Sequence, residues 1–207
     1  MRIASFDIGL RNFCFCIEHI DNNELKRCTT VREIFEVGNI LNIELTDLGS
    51  MKQPLVNMLT NLTNFLDKFL EDFKMCDIIL IEKQFRINRI ATILSHHVYS
   101  YFVIKCLPVT PALKIVQYHA SCKTKTFNFS TTNKSERKKW TVKYANFVLM
   151  LKGNSNNNIL LKYMIEPKKD DMGDVLMQTQ SYKINWVNKN SEIPIIDNIL
   201  DWTLETI

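Results

Sequence analysis

The segment from Arg2 to Gly9 is largely apolar, yet it contains the carboxylate of Asp7. Such a run indicates a buried β-strand, where a carboxylate costs several kcal/mol unless a partner cancels its charge. Residues 77–82 repeat the pattern in a second apolar strand that ends at Glu82, and residues 170–174 open a helical stretch with three aspartates. Carboxylates that converge from such segments repel one another, and a bound divalent cation with oxygen ligands is the usual remedy.

The order of the apolar segments predicts an α/β fold. Residues 2–8 and 12–20 indicate two strands joined by a tight turn at Gly9-Leu10-Arg11, and residues 31–41 indicate a third extended segment. The remaining predicted elements are a helix at 54–73, a strand at 77–82, a helix at 87–106, a strand at 114–118, a basic loop at 121–133, helices at 134–151 and 170–184, and an amphipathic tail at 195–205. This order predicts a mixed five-stranded sheet with helices on both faces, in one domain over residues 1–207.

The chain has a formal net charge of only +4, but its positive charge is concentrated in one region. Between Lys123 and Lys143 seven basic side chains accompany a single acid, Glu136. This basic block indicates a face for an anionic partner, although a solvated helix and loop would show the same composition. The six cysteines form no CxxC pair, which is typical of reduced intracellular thiols and not of a zinc site. No apolar stretch approaches the roughly 18 residues that a membrane helix needs, so the sequence predicts an intracellular protein without a membrane partner.

Three motifs together resemble those of the ribonuclease H-like nucleases, and within them the RuvC-like Holliday junction resolvases of the poxvirus type and their mitochondrial relatives. The motifs are Phe6-Asp7-Ile8-Gly9 with Asn12, Ile81-Glu82-Lys83-Gln84 with the nearby Arg86 and Arg89, and Lys168-Lys169-Asp170-Asp171-Met172-Gly173-Asp174. The resemblance spans about residues 1–185, and it implies a ribonuclease H-like mixed five-stranded sheet flanked by helices on both faces. Mitochondrial members need a targeting extension, whereas this chain begins directly at the first strand, so a viral source is expected.

The resemblance also implies the residues of an active site. The expected metal ligands are Asp7, Glu82, Asp171 and Asp174, which would hold two Mg²⁺ ions, with Mn²⁺ expected to substitute. Asp170 is the alternative to Asp171, since spacings of three and of four both place two carboxylates on one helical face.

A catalytic lysine near the scissile phosphate is implied in the same way. Lys123 is the first candidate, and Lys125 is the alternative. The residues expected to contact DNA are Gln84, Arg86, Arg89, Lys125, Arg137, Lys138 and Lys139.

The expected function is that of a Mg²⁺-dependent, structure-specific endodeoxyribonuclease. It would resolve Holliday junctions and branched or concatemeric viral DNA by paired symmetric nicks. The nicks would be made by a homodimer in the host cytoplasm at viral replication sites, and the apolar helix at 87–106 would form the dimer interface. Two alternatives remain open at this point: a ribonuclease H-like nuclease for another substrate, such as an RNA–DNA hybrid or a flap, and a non-catalytic module that binds DNA junctions.

Overall fold

The computed structural model describes residues 1–84, 87–129, 131–153 and 157–191. Over these residues the strands are β1 (Arg2–Asp7), β2 (Phe13–His19), β3 (Asn39–Thr46), β4 (Ile78–Glu82) and β5 (Lys114–Tyr118). The helices are α1 (Asn22–Arg27), α2 (Val31–Glu36), α3 (Leu55–Asp67), α4 (Leu70–Lys74), α5 (Arg89–Lys105), α6 (Ala120–Thr126), α7 (Lys134–Leu151), α8 (Asn157–Ile165) and α9 (Lys169–Asn190). The amphipathic tail expected at 195–205 and the side chain of Arg86 lie outside the described residues.

The strands form one mixed five-stranded sheet in the order β3-β2-β1-β4-β5. The first three strands pair antiparallel, as predicted from the N-terminal meander, whereas β4 runs parallel to both β1 and β5. Helices connect the parallel strands because such strands need a crossover. Helices pack on both faces, so the predicted fold class is confirmed.

Alternation along the strands assigns each side chain of β1 to one face of the sheet. Ala4 and Phe6 face a core that is rich in phenylalanine and is covered by α3, α4 and α5. Ile3 faces the opposite core, which α7 and α9 cover. Since Asp7 has the same parity as Ile3, its carboxylate belongs to the face under α9.

The segment 31–41, predicted to be extended, is instead a helix followed by a strand. Helix α2 begins after Thr30, whose hydroxyl accepts a hydrogen bond from the backbone N–H of Glu33 (3.2 Å), while the Glu33 carboxylate accepts one from the backbone N–H of Thr30 (3.2 Å). This capping box starts the helix despite its β-branched residues. Gly38 then adopts a φ of +95°, which favours glycine, and β3 follows.

Four further predictions need correction. The predicted helix at 54–73 is divided into α3 and α4, and the predicted basic loop at 121–133 contains α6. Helix α8 lies between residues 151 and 170, where no element was predicted. The last helix runs to Asn190 instead of ending at 184, and Val187 in this extension is buried in the core. In the part of the chain that the structure describes, no helix is long and apolar enough to cross a bilayer.

Candidate active site

The carboxylates of Asp7 and Glu82 meet where two neighbouring parallel strands end. In the β1–β4 register Phe6 lies beside Ile81, so Asp7 and Glu82 are the next residues along their strands. Both residues point to the face under α9 because both follow the parity of the buried side chains on that face, Ile3 and Leu80. The two carboxyl groups lie close enough for each to shift the pKa of the other.

The ammonium group of Lys123 lies between the strand-end acids and α9. Its Nζ is 3.5 Å from Oε1 of Glu82 and 3.1 Å from Oδ1 of Asp174. Lys123 lies on α6, the short helix that follows β5, and the imidazole Nδ1 of His119 caps that helix by accepting the backbone N–H of Ser121 (3.2 Å). The structure thus brings together Asp7, Glu82, Lys123 and Asp174 from four separate elements.

Burial and crowding make this group electrostatically unusual. Burial, and then the negative charges of Glu82 and Asp174, raise the pKa of Asp7 well above its ordinary range. Burial also acts to raise the pKa of Glu82, but the Lys123 ammonium and the hydrogen bond from Asp7 outweigh it, so the pKa is lowered. Burial acts to lower the pKa of Lys123, but the surrounding carboxylates raise it, so the lysine stays charged.

The structure separates the two candidates at the start of α9. Asp170 forms an ion pair with Lys138 of α7. Asp171 turns inward, and its Oδ2 is buried without a hydrogen-bond partner among the described residues. Burial, together with the neighbouring Asp170 carboxylate, raises the pKa of Asp171 to about 6. Burial raises the pKa of the Cys14 thiol, and the negative charges of Asp7, Asp171 and Asp174 add to this shift.

A glycine within the acidic motif allows α9 to approach α7 closely. A Cβ atom on Gly173 would lie 2.8 Å from Cγ2 of Thr141 and 3.2 Å from Cβ of Ala145. The same Thr141 donates its hydroxyl to Oδ1 of Asp174 (3.4 Å). The sequence motif included Gly173, but no packing role was predicted for it or for Thr141, although a glycine inside a helix can indicate close packing.

The donor set suits a hard divalent cation. Among the described residues no three acidic, imidazole or thiol groups already stand at the spacing of metal ligands. Instead, Lys123 lies between Glu82 and Asp174. Carboxylate oxygens are nevertheless the ligands that Mg²⁺ prefers, and the unsatisfied, buried Oδ2 of Asp171 is a ligand atom without another use. The residues present therefore fit such an ion.

Glu82 and Asp174 line a cleft of about 410 Å³. Its wall includes Gln84 and Arg137 from the expected DNA contacts, and also residues that sequence reasoning did not assign to the site, namely Lys83, His119, Ser121, Phe129 and Trp140. The other expected contacts that the structure describes lie outside this lining: Arg89 at the start of α5, Lys125 on α6, and Lys138 and Lys139 on α7.

The mixed five-stranded sheet, with acids at two adjacent strand ends and on the covering helix, defines the class of ribonuclease H-like folds. Within that class the chain belongs to the Poxvirus A22 protein family, which matches residues 1–186. It is 29% identical to the uncharacterized protein 97L of Invertebrate iridescent virus 3, over 87% of this chain and 98% of that protein. It is 26% identical to protein 170L of Invertebrate iridescent virus 6, over 87% and 88% of the two chains.

Two solved structures show the same fold. The complex of fowlpox virus resolvase with Holliday junction DNA superposes with a TM-score of 0.61, at 19% identity, over 90% of this chain and 99% of that chain. RuvC of Thermus thermophilus superposes with a TM-score of 0.57, at 13% identity, over 90% and 98%. The resemblance to RuvC-like resolvases of the poxvirus type is therefore confirmed.

Proposed function

We propose that this protein is a Mg²⁺-dependent endodeoxyribonuclease that resolves four-way DNA junctions. The observation that carries the proposal is the convergence of Asp7, Glu82 and Asp174 around Lys123 at the open end of a ribonuclease H-like sheet. Membership of the Poxvirus A22 family supports it, and so does the shared fold with a resolvase whose solved complex contains a Holliday junction.

Asp7, Glu82, Asp171 and Asp174 would hold the metal. When bound, a pair of Mg²⁺ ions supplies activation of the attacking water and neutralisation of the leaving alkoxide. The structure adds a reason to prefer Asp171 over Asp170 as a ligand: Asp170 is already paired with Lys138, while Asp171 offers a buried free oxygen. Mn²⁺ is expected to substitute because it accepts the same oxygen ligands.

Lys123 is the proposed catalytic lysine. Its side chain is 11% exposed and borders the cleft, so its ammonium group can reach a phosphate placed beside Glu82. There it would stabilise charge that develops on the phosphate in the transition state. Lys125, the alternative, is exposed on the far part of α6 and does not line the cleft.

The proposed DNA face includes Gln84 and Arg137, which line the cleft, and further basic residues that would contact phosphates. The further residues proposed from the sequence are Arg86, Arg89, Lys125, Lys138 and Lys139. We further propose a homodimer that pairs through α5 and makes two symmetric nicks, since a two-fold junction matches a two-fold protein. Membership of a poxvirus family supports a viral protein that processes branched or concatemeric genomes at replication sites in the host cytoplasm.

A cleavage assay tests this function. The purified chain is incubated with a labelled four-way junction, with Mg²⁺ or with EDTA, beside a linear duplex, a flap and an RNA–DNA hybrid of matched sequence. Symmetric, Mg²⁺-dependent nicks confined to the junction are expected. Asp7→Asn should abolish them, while Asp72→Asn, on the exposed surface of α4, should not.

Each other outcome selects a different conclusion. Preferential cleavage of the hybrid or the flap would assign the fold to another nuclease substrate. Tight junction binding without cleavage in the presence of Mg²⁺ would identify a binding module. Equal cleavage by wild-type protein and Asp7→Asn would refute the active-site assignment.

A further inference from the structure

Two aromatic rings stack face to face beside the acids. The rings of Phe129 and Trp140 have centroids 4.9 Å apart and planes only 12° apart. Trp140 is held in turn by Phe127 and Tyr144, whose rings lie 5.3 Å and 4.8 Å away. Because Phe127 is buried in the core, the stacked pair is fixed to the body of the protein.

The stacked pair lines the same cleft as the proposed active site. Glu82, Asp174 and Lys123 line the cleft together with Phe129 and Trp140. Its volume of about 410 Å³ lies within the range typical of sites for small organic molecules. Arg137 precedes Trp140 by about one helical turn on α7 and lines the cleft as well, so a cation is available for a phosphate near the rings.

Core packing alone does not account for this arrangement. Phe129 and Trp140 both remain partly exposed, although large aromatic side chains gain most from full burial. The phenylalanines of the opposite core, such as Phe6, Phe15 and Phe73, contact one another with tilted or edge-to-face rings. Proteins that bind unpaired strands stack nucleobases on partly exposed aromatic side chains beside basic residues, and Phe129 near Arg137 and Lys123 fits that description.

We propose that Phe129, supported by Trp140, binds one unstacked nucleobase next to the phosphate that is cleaved. This inference rests on the proposed nuclease function and adds a determinant of its substrate choice. Removing a base from a duplex stack costs a few kcal/mol, and the cost is least where pairing is already disturbed. A protein that must capture such a base beside its acids would therefore favour strands at a branch point over continuous duplex.

The test removes the ring from the protein and the base from the DNA, separately and together. Single-turnover cleavage of a four-way junction is measured for wild-type protein, Phe129→Leu and Phe129→Tyr. The junctions are intact or carry one abasic nucleotide at successive positions around the cut. Phe69→Leu, the same change in a partly buried ring of the opposite core, is the matched control. Circular dichroism verifies that each variant is folded.

Phe129→Leu should slow cleavage of the intact junction by about 10- to 100-fold, the range that base–aromatic stacking supplies. Phe129→Tyr, which keeps the ring, should stay within about threefold of wild type, and so should Phe69→Leu. At one abasic position the cleavage rate of wild-type protein should fall by the same factor. The rate of Phe129→Leu should not fall further there, because the ring and the base contribute through one shared contact.

Two results would overturn the inference while leaving the nuclease assignment intact. The first is cleavage by Phe129→Leu at the wild-type rate. The second is that, at every abasic position, the rate reductions caused by Phe129→Leu and by the missing base multiply, as they do for independent sites. If wild-type protein cleaves no junction at all, the proposed function itself is wrong, and the base-stacking role falls with it.

Discussion

Asp170 and Asp171 are adjacent in sequence, but their carboxylates have different surroundings. Asp170 forms an ion pair with Lys138, whereas Asp171 has a buried oxygen without a hydrogen-bond partner among the described residues. An isolated buried carboxylate is unfavourable unless a cation or a proton compensates it. The raised pKa of Asp171, about 6, expresses this cost, and a bound metal ion would remove it.

The first prediction compares the two aspartates directly. Asp171→Asn should lower junction cleavage by more than about 100-fold, because ligand loss exceeds the 10- to 100-fold effect of changing a ligand's neighbours. Asp170→Asn should lower cleavage by less than about tenfold, through loss of the Lys138 pair alone. Gel-shift titration should show that both variants bind the junction, since phosphate contacts dominate affinity. The reverse ranking would assign the ligand role to Asp170.

At the scale of single elements, the contact between α7 and α9 fixes where Asp174 lies. Gly173 permits the contact, and Thr141 lies against it and also donates to Asp174. A glycine in the middle of a helix costs about 1 kcal/mol relative to alanine. The packing of α7 against α9 must therefore stabilise the fold by more than this amount.

The second prediction concerns this contact. Gly173→Ala should reduce the free energy of unfolding, because overpacking of about 1–3 kcal/mol outweighs the gain in helix propensity. It should also slow cleavage, since it displaces α9 and Asp174 with it. Adding Thr141→Ser removes the Cγ2 atom that lies 2.8 Å from the new methyl group and should restore stability. Urea unfolding and the cleavage assay measure both effects, and additive losses in the double variant would contradict the argument.

Elements with a periodic pattern could be predicted from the sequence, and those that depend on tertiary partners could not. The strand at 114–118 and the helix at 134–151 were predicted with the observed limits. The end of α9 was missed because residues 185–190 are mostly polar, and only the packing of Val187 in the core shows that the helix continues. The short helix that carries Lys123 depends on the His119 cap and resembles a loop in composition.

In the candidate site, too, some residues could be predicted from sequence patterns and others depend on tertiary contacts. The sequence indicated the acids because carboxylates in apolar segments are conspicuous, and alternation along the strands predicts their common face. It could not indicate Phe129 or Trp140, since single aromatic residues are usually part of a core and their position beside the acids depends on how α6 and α7 pack. Nor could spacing alone separate Asp170 from Asp171, because both lie on the same face as Asp174.

At the scale of the whole molecule, a buried ionic network holds α7 and α9 against the sheet. Glu18 of β2 accepts hydrogen bonds from Lys152 (2.8 Å), Lys183 (2.9 Å) and Gln180 (2.7 Å). Both lysines also donate to the carbonyl of Val37. Burial acts to raise the pKa of Glu18, but the two ammonium groups outweigh it and lower the pKa to about 2. Burial lowers the pKa of Lys183 to about 7, despite the opposing charge of Glu18.

The third prediction follows from the sign of the Glu18 shift. A carboxyl whose pKa falls from 4.5 to about 2 on folding adds stability above pH 4.5 and loses it as the pH falls toward 2. The loss should be about 3 kcal/mol. Urea unfolding across pH measures this loss, and it should be absent in the variant that combines Glu18→Leu, Lys152→Met and Lys183→Met. If that variant loses the same free energy of unfolding at acid pH, other carboxyl groups cause the loss.

Removing Glu18 alone provides the complementary measurement. Glu18→Gln should reduce the free energy of unfolding by about 3–5 kcal/mol at pH 7, because it leaves two buried ammonium groups without a counter-charge. The triple apolar variant should be far less affected, since well-packed apolar residues replace a buried ion cluster with little loss. Lys162→Met, which removes a partly exposed pair with Glu44, is the control and should cost less than about 1 kcal/mol.

The fourth prediction concerns the proposed dimer. On α5, Leu94, Val98 and Phe102 fill the core, whereas Tyr99 and Val103, one turn apart, are 38% and 37% exposed. An interface needs an apolar centre of this kind. Tyr99→Glu or Val103→Glu should therefore yield monomers in sedimentation velocity experiments, because each places a charge in the buried contact. Met75→Glu, at an apolar residue of similar or greater exposure outside α5, should leave the mass unchanged.

Function provides a second measurement of the same dimer. Each chain contains a complete set of the proposed acids, so a monomer should still nick one strand. On a supercoiled plasmid with an extruded cruciform, wild-type protein should give linear product from two nicks within one binding event. The α5 variants should give nicked circles first, because the second nick then needs a separate binding event. The first nick relaxes the plasmid, so the cruciform is reabsorbed before the second nick can occur. If wild-type protein sediments as a monomer with junction bound and still yields linear product directly, pairing through α5 is not the source of symmetric cleavage.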